Sequence, residues 1–226
     1  MARPLQIAID GPVGAGKSTI AKILAEKLGI TYIYTGAMYR AVALAVKQKG
    51  VDWSDKEKVE AMVDRIKIDM FKPRAKEQRL VTVVLEGKDV TDQVFSGNLG
   101  EGGSVVSQYT KVREVLVRRQ RELARDRAVV MEGRDIGTNV LPKAQLKIYL
   151  DADVDERIRR KQAQLQVGYE RVKLDIFTRD KREMGRENNP LRPAKDAWVL
   201  DTSEMTIEQV VEKILARVKQ LMIYLM

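Results

Sequence analysis

Residues 11–18 read GPVGAGKS and match the pattern GxxxxGK[ST], which is typical of loops that bind nucleotide phosphates. Glycines in such a loop allow turns that a Cβ would block, so successive backbone N–H groups can surround a phosphate chain. Lys17 would reach the β- and γ-phosphates, and the Ser18 hydroxyl would bind Mg²⁺. The pattern therefore predicts a site for ATP or GTP with Mg²⁺, whose contributors are Gly11, Pro12, Val13, Gly14, Ala15, Gly16, Lys17, Ser18 and Thr19.

The flanking sequence predicts the elements that position this loop. Residues 7–9 are apolar and favour a buried strand, whereas residues 19–28 carry apolar side chains at helical spacing. A strand, a glycine loop and a helix in this order direct the positive end of the helix dipole at the phosphates. The alternative is an ordinary glycine turn between a strand and a helix, which would carry no ligand.

The composition narrows the chemistry. The 226 residues include no cysteine and no histidine, which excludes disulfides, thiolate nucleophiles, zinc–cysteine sites and the commonest general base. A reaction must then depend on Lys, Arg, Asp, Glu, hydroxyl groups and backbone amides. Phosphoryl transfer fits this set, because positioning and electrostatics provide most of its catalysis.

The chain is basic, with 41 Lys and Arg residues against 32 Asp and Glu residues and a net charge of +9. Such an excess favours polyanionic partners, either nucleic acids or small nucleotides, although solvated helix surfaces explain most basic residues equally well. No run of 18 apolar residues occurs, and the first strand follows Met1 so closely that no signal peptide is expected. We therefore expect a cytoplasmic protein with no membrane partner.

Apolar runs alternate with helical patterns along the chain, which predicts an α/β fold with a parallel sheet. The strand-like runs are residues 6–9, 128–131, 146–150 and 198–200. A last helix should begin at a capping box formed by Thr206 and Gln209. Its apolar face would comprise Ile207, Val210, Val211, Ile214, Leu215, Val218 and Leu221.

One region interrupts this alternation. Residues 66–94 contain the β-rich run 79–85 and a turn at 86–89, so we expect an inserted antiparallel hairpin. It would be either a lobe that covers a substrate or a surface decoration.

Two segments outside the loop carry arginines that could reach the same ligand. EGRD at 132–135 follows the run 128–131, and TGAMYR at 35–40 should follow the second strand. Ligands of doubly wound sheets bind at the carboxyl ends of the strands, so we expect Arg40 and Arg134 at the cleft. The sequence has no Asn-Lys-x-Asp segment, which disfavours a GTPase switch.

Together these motifs closely resemble those of bacterial cytidylate kinases and follow the order of that family from end to end. They are GPVGAGKS, TGAMYR, VREVLVRRQR, EGRDIGT, KIYLDA, RDKREMGRENNPL and VLDTSEMTIEQV. The resemblance implies one P-loop NTPase domain over residues 1–226, with a central parallel sheet flanked by helices, an inserted antiparallel hairpin lobe and a helical lid. A monophosphate-binding lobe would span 34–104, with the hairpin at 66–94, and the lid would span 152–190.

The resemblance also implies a reaction, transfer of the γ-phosphoryl group of ATP to CMP or dCMP. Arg40 and Arg134 would hold the acceptor phosphate, and Arg157 would be a lid arginine that closes on the transferring group. The catalytic residues would be Lys17, Arg40, Arg134 and Arg157. The CMP site would comprise Thr35, Arg40, Ser104, Arg113, Arg134, Asp135, Arg179, Glu183 and Arg186. The expected partners are small nucleotides and no nucleic acid, and the expected state is a monomer.

The residue types suit this reaction. The second pKa of a phosphate monoester is about 6, so the acceptor is ionised at neutral pH and needs no general base. Cytosine presents an amino donor at N4, which the Asp135 carboxylate can accept. The alternatives are another small-molecule kinase, acting on UMP, AMP or shikimate, and a P-loop ATPase that binds nucleic acid.

Three positions depart from the pattern of the family. Tyr34 and Glu183 stand where aspartates are usual, and Thr110 stands where a proline is usual. The first could alter the rate or the metal affinity, the second moves a carboxylate by one methylene group, and the third could loosen the helix that carries Arg113.

Overall fold

The computed structural model describes residues 3–73, 79, 81–96 and 99–225. The chain forms two compact units, of which unit 1 comprises Met1–Thr31 and Asp126–Met226. Unit 2 comprises Tyr32–Arg125. Among the described residues, no helix is long and apolar enough to cross a bilayer.

Unit 1 contains four neighbouring strands of a parallel sheet, in the order β6-β1-β7-β8, together with Thr31, the first residue of β2, which pairs with β6. The strands are β1 (Gln6–Asp10), β2 (Thr31–Tyr34), β6 (Val129–Glu132), β7 (Leu146–Asp151) and β8 (Trp198–Asp201). Thr31, the last residue of the first segment of unit 1, donates its N–H to Ala128 O at 3.1 Å. The four predicted strands are therefore confirmed, each within two residues of its expected bounds.

The central position of β1 explains its apolar sequence. Ile7 lies opposite Val130 of β6 and Leu146 of β7, and all five residues of β1 are buried. A parallel strand covered on both faces needs a continuous apolar run rather than an alternating one. β1, β6, β7 and β8 each end on an acidic residue, which puts carboxylates at the carboxyl edge of the sheet.

Four helices and one π-helical turn complete the described part of unit 1. They are α1 (Lys17–Leu28), the turn Ile136–Val140, α7 (Val154–Leu165), α8 (Tyr169–Met184) and α9 (Ile207–Leu225). The capping box of α9 is confirmed, because Thr206 N donates to Gln209 Oε1 at 2.9 Å and Gln209 N donates to Thr206 Oγ1 at 3.3 Å. Ile207, predicted on the packed face, is 45% exposed, since it lies in the first turn, ahead of the buried Val210.

The described residues of unit 2 form five helices and a small antiparallel sheet. The helices are α2 (Thr35–Gln48), α3 (Lys56–Val63), α4 (Thr91–Phe95), α5 (Leu99–Val106) and α6 (Thr110–Ala124). The sheet consists of β3 (Ile68–Phe71), β4 (Thr82–Leu85) and β5 (Lys88–Asp89). A buried apolar cluster, which includes Met38, Val42 and Leu116, joins these elements.

The predicted hairpin insertion is confirmed. Glu86 and Gly87, with φ of 50° and 79°, form the two-residue turn between β4 and β5. A positive φ at both central residues is typical of a tight β-hairpin. Leu80, part of the predicted run 79–85, lies outside the described residues. The assignment of residues 34–104 to monophosphate binding and of residues 152–190 to a lid stays a prediction.

Candidate functional site

The glycine loop of unit 1 has the conformation that its sequence predicts. Gly11, Gly14 and Gly16 have φ of 149°, 83° and 83°, which lie in the left-handed region. A Cβ on Gly14 would lie 2.7 Å from the carbonyl oxygen of Arg157, so another residue would also collide with α7. The loop therefore needs glycine both for its turns and for its contact with the next layer.

Lys17 lies at the first turn of α1, where the loop curves round it. Its Nζ donates to Pro12 O at 2.6 Å, and the side chain is buried. Burial and the nearby charge of Arg134 lower the pKa of Lys17 to about 7. An arriving phosphate chain would compensate both effects, because it offers this ammonium group an anionic partner.

The donor set for a divalent cation is small. Ser18 is half-buried and Thr19 is exposed in the first turn of α1. Among the described residues, no group of three or more acidic side chains could hold a metal ion. Mg²⁺ bound to a nucleotide takes phosphate oxygens and water as most of its ligands.

Arg157 ties α7 to the glycine loop and to α8. Its guanidinium donates to Val13 O at 3.2 Å and to Asp180 Oδ2 at 2.5 Å. Val13 also packs in a small apolar cluster with Ile158, Val172 and Ile176. The predicted lid arginine is thus buried beside the loop, in an ion pair with α8.

Asp10, which the sequence analysis did not single out, holds the segment that follows β6. Its Oδ1 accepts the N–H of Ile136 at 2.8 Å, and its Oδ2 accepts the N–H of Gly137 at 2.7 Å. Burial raises the pKa of Asp10 to about 7, against the lowering effect of these two hydrogen bonds. The contact fixes the residues directly after Asp135, one of the predicted CMP contacts.

Arg134 and Arg179 meet at Glu183. Arg134 Nε donates to Glu183 Oε2, and Arg179 Nη2 lies 3.8 Å from Glu183 Oε1. Burial opposes the ionisation of Glu183, yet the two guanidinium charges keep its pKa below the ordinary value. Arg179 Nε is buried and has no hydrogen-bond partner among the described residues, so it can donate to a ligand.

Asp135 and Arg186 form a second polar group in unit 1. Asp135 Oδ2 accepts from Asn139 Nδ2 at 2.9 Å, and Asp135 Oδ1 lies 4.0 Å from Arg186 Nη2. Both side chains are buried, and Arg186 also donates to Asn189 O at 3.1 Å. A buried carboxylate next to a guanidinium can distinguish a base by its pattern of donors and acceptors.

Unit 2 carries the other four predicted contacts. Thr35 begins α2 and Arg40 lies one and a half turns later, while Ser104 lies on α5 and Arg113 on α6. Arg113 Nη1 donates to Tyr39 Oη at 3.3 Å and to Ser107 O at 3.4 Å. The Ser104 hydroxyl is buried and has no partner among the described residues, as expected of a group that awaits a ligand.

The predicted residues therefore fall into two groups. Unit 1 brings together the glycine loop with Lys17, Arg134, Asp135, Arg157, Arg179, Glu183 and Arg186, and unit 2 holds Thr35, Arg40, Ser104 and Arg113. Sequence reasoning missed Asp10 and Asp180. A carboxylate that ends an apolar run directly before Gly11 was a usable signal for Asp10, whereas no pattern pointed to Asp180.

The chain is similar over nearly its full length to proteins of one family. A family model described as cytidylate kinase matches residues 7–220. A cytidylate kinase of Leuconostoc mesenteroides subsp. mesenteroides is 45% identical over 214 residues, which cover 92% of this chain and 94% of that protein. A cytidylate kinase of Bacillus subtilis is 42% identical over 225 residues, with 97% and 99% covered.

The fold also has a solved counterpart. A crystal structure of an uncharacterized protein from Eubacterium ventriosum superposes with a TM-score of 0.55 at 12% identity, over 95% of this chain and 98% of that one. At this level of identity the likeness concerns the fold alone.

Proposed function

The chain belongs to the cytidylate kinase family, and on this premise we propose how its residues transfer the γ-phosphoryl group of ATP to CMP and dCMP. It is a P-loop kinase, and its substrates are nucleotides. The observation that carries the residue assignment is the buried Asp135, which follows the strand next to β1 and lies beside Arg186. A carboxylate in that position can accept the amino group of cytosine.

The ATP side of the proposal rests on the glycine loop. Its backbone N–H groups and the N-terminus of α1 would bind the phosphates, and Lys17 would leave Pro12 O for the β- and γ-phosphates. Ser18 would hold Mg²⁺ together with phosphate oxygens, and the ion would neutralise charge that develops during transfer. Arg157 would add a cation next to the loop.

On the acceptor side, Arg40 and Arg134 would hold the phosphate of CMP. The phosphate is ionised at neutral pH, so no proton has to be removed from the nucleophile. The guanidinium groups would instead reduce the repulsion between the two anions and donate in pairs to the phosphate oxygens. This explains how a chain without histidine can catalyse the reaction.

Recognition of the nucleoside would use the remaining contacts. Asp135 would accept from N4 of cytosine, while Ser104, Arg113 and Arg179 would donate to its acceptors. Thr35, Glu183 and Arg186 would surround the base and ribose. Uracil reverses the donor at N4 and the acceptor at N3, so it would leave a buried carboxylate and a guanidinium without partners.

The expected setting is the cytoplasm, where a monomer would act on small nucleotides without binding nucleic acid. The described residues contain no membrane-spanning helix. The excess of basic residues is accounted for in part by the arginines of the proposed site.

An acceptor panel tests the function. Product formation with ATP would be measured for CMP, dCMP, UMP, AMP, dTMP and shikimate, with Lys17→Ala as the inactive control. We expect clear preference for CMP and dCMP. Equal or better use of another acceptor would reject the assignment, as would ATP hydrolysis that depends on added RNA or DNA.

A further inference from the structure

Arg40 differs from the arginines that unit 1 contributes to the proposed site in the groups that surround its guanidinium. Arg134, Arg157, Arg179 and Arg186 each lie within 4.0 Å of a carboxylate. Among the described residues, Arg40 has no such neighbour, and its guanidinium lies beside two aromatic rings. No carboxylate among the described residues of unit 2 therefore neutralises the charge of Arg40.

The two rings are those of Tyr34 and Phe95. Arg40 Cζ lies 5.7 Å from the ring centroid of Tyr34 and 5.4 Å from that of Phe95. The rings stack on each other with centroids 5.7 Å apart and an interplanar angle of 26°. These distances fall within the range in which an aromatic face attracts a guanidinium group.

The elements of unit 2 impose this geometry. Tyr34 ends β2 immediately before α2, on which Arg40 lies, and Phe95 is the last residue of α4. On α5, a Cβ at Gly103 would lie 3.1 Å from Arg40 Cγ, so a glycine at this position lets α5 approach the stem of Arg40. Two rings and one helix thus restrict the conformers of a long side chain.

We infer that Tyr34 and Phe95 are positioning residues for the acceptor nucleotide: they orient the Arg40 guanidinium by cation–π contacts, without a carboxylate partner, for the phosphate of CMP. An aromatic face attracts the cation but cannot neutralise it, so both the charge and the N–H donors are left for a dianion. The inference rests on the proposed role of Arg40 as a phosphate ligand. It also gives Tyr34, which departs from the family pattern, a function in this chain.

Substitutions that remove or keep each ring test the inference. Tyr34→Leu and Phe95→Leu should each weaken CMP binding by about three- to fivefold, the size expected of a partly exposed cation–π contact. Tyr34→Phe and Phe95→Tyr keep the rings and should bind CMP within about twofold of the parent chain. Ile223→Ala, at a side chain that is 73% exposed on α9 and outside the segments proposed to bind nucleotides, is the control and should have no effect.

The measurement is the dissociation constant of CMP by titration calorimetry, with the constant for ADP as the second readout. A positioning role predicts weaker CMP binding with unchanged ADP binding, whereas a general loss of structure would change both and lower the melting temperature. Unchanged CMP affinity in both leucine variants would overturn the inference.

A double-mutant cycle with Arg40→Met separates the inference from the function on which it rests. If the rings act through Arg40, neither leucine substitution will weaken CMP binding further in the Arg40→Met chain. A full additional loss in that background would mean that the rings act independently, which would reject the inference alone. Parent-like CMP affinity of Arg40→Met itself would remove Arg40 from the proposed site and the inference with it.

Discussion

In unit 1, charged side chains near the end of the sheet are held by partners of opposite charge or by backbone N–H groups. Glu183 links Arg134 and Arg179, and Asp10 anchors the backbone that follows Asp135. Glu183 and Asp10 are buried, so each depends on its partners for the hydrogen bonds that water would otherwise supply. Substitutions here should change recognition and stability more than surface substitutions do.

Asp135 is the residue that should decide the choice of base. Asp135→Ala removes the acceptor proposed for the cytosine amino group, so we expect the preference for CMP over UMP, measured as the ratio of kcat/KM values, to fall about 10- to 100-fold. Glu212→Ala, at an exposed residue of α9, is the control. A ratio that Asp135→Ala leaves unchanged would exclude Asp135 from base recognition.

Asp10 should make stability depend on pH. Its pKa in the folded chain, about 7, is above the ordinary value of 3.8, so the native state binds this proton more tightly than the unfolded state. The free energy of unfolding contributed by Asp10 should therefore fall as the pH rises between these values, by about 1 kcal/mol per pH unit.

Urea unfolding of the parent chain and of Asp10→Asn at about pH 5 and about pH 7 would measure this dependence. The difference in stability between the two chains should decrease toward pH 7. Asp92→Asn, at a carboxylate that is 83% exposed, is the control and should give a constant difference. A difference that does not vary with pH for Asp10→Asn would contradict the assignment.

At the scale of elements, α7 and α8 are joined to each other and to the glycine loop. The ion pair of Arg157 with Asp180 is buried, and Val13 of the loop packs with Ile158 of α7 and Ile176 of α8. A loop held in this way keeps its shape without ligand, which reduces the entropy lost when a nucleotide binds. The apolar cluster makes this contact possible, and the ion pair fixes its register.

The buried pair predicts a non-additive effect on stability. Asp180→Ala should lower the free energy of unfolding by about 3 kcal/mol, because it leaves the Arg157 guanidinium buried without its carboxylate. The double variant Arg157→Met/Asp180→Leu should be less destabilised, since it replaces both charges by apolar groups. Denaturant unfolding measures both changes, and a double variant that is less stable than Asp180→Ala would contradict the argument.

At the scale of the whole molecule, the chain divides its chemistry between two compact units. Unit 1 contains the glycine loop, and unit 2 contains Arg40 and Ser104, whose hydroxyl has no hydrogen-bond partner in the described part of the chain. The arginines proposed to bind CMP occur in both units. Neither unit by itself therefore contains every residue that the proposed reaction requires.

The expected monomer is directly measurable. Light scattering coupled to size exclusion should give a mass of 25.6 kDa, because all proposed site residues come from a single chain. A mass near twice that value at micromolar concentration would contradict this expectation. Addition of CMP should leave the mass unchanged.

Much of the fold was predictable from local patterns. The apolar runs at β1, β6, β7 and β8, the capping box at Thr206 and the turn at Glu86 and Gly87 are each determined by a few neighbouring residues. Such features follow from backbone sterics and hydrogen bonding within one segment. Ile207 was misassigned because periodicity alone does not say where packing of a helix begins.

The site was predictable only in part. Sequence spacing alone defined the loop that contains Lys17, since its glycines, its lysine and its hydroxyl all lie within residues 11–18. The partners of Arg157 and Arg134 lie 23 and 49 residues away, on another element, and no local pattern links them. Their identification required coordinates.

The amino-acid sequence by itself determined the nucleotide loop, the α/β order of elements and the resemblance to cytidylate kinases. Each of these depends on short motifs whose residues are neighbours in the sequence. Only the tertiary structure decided that Asp10 supports the segment after Asp135, that Asp180 pairs with Arg157, and that aromatic rings rather than a carboxylate hold Arg40. These contacts arise where packing brings together residues from separate elements. Where such a group is buried, water cannot replace a lost partner, so the loss of that partner costs free energy.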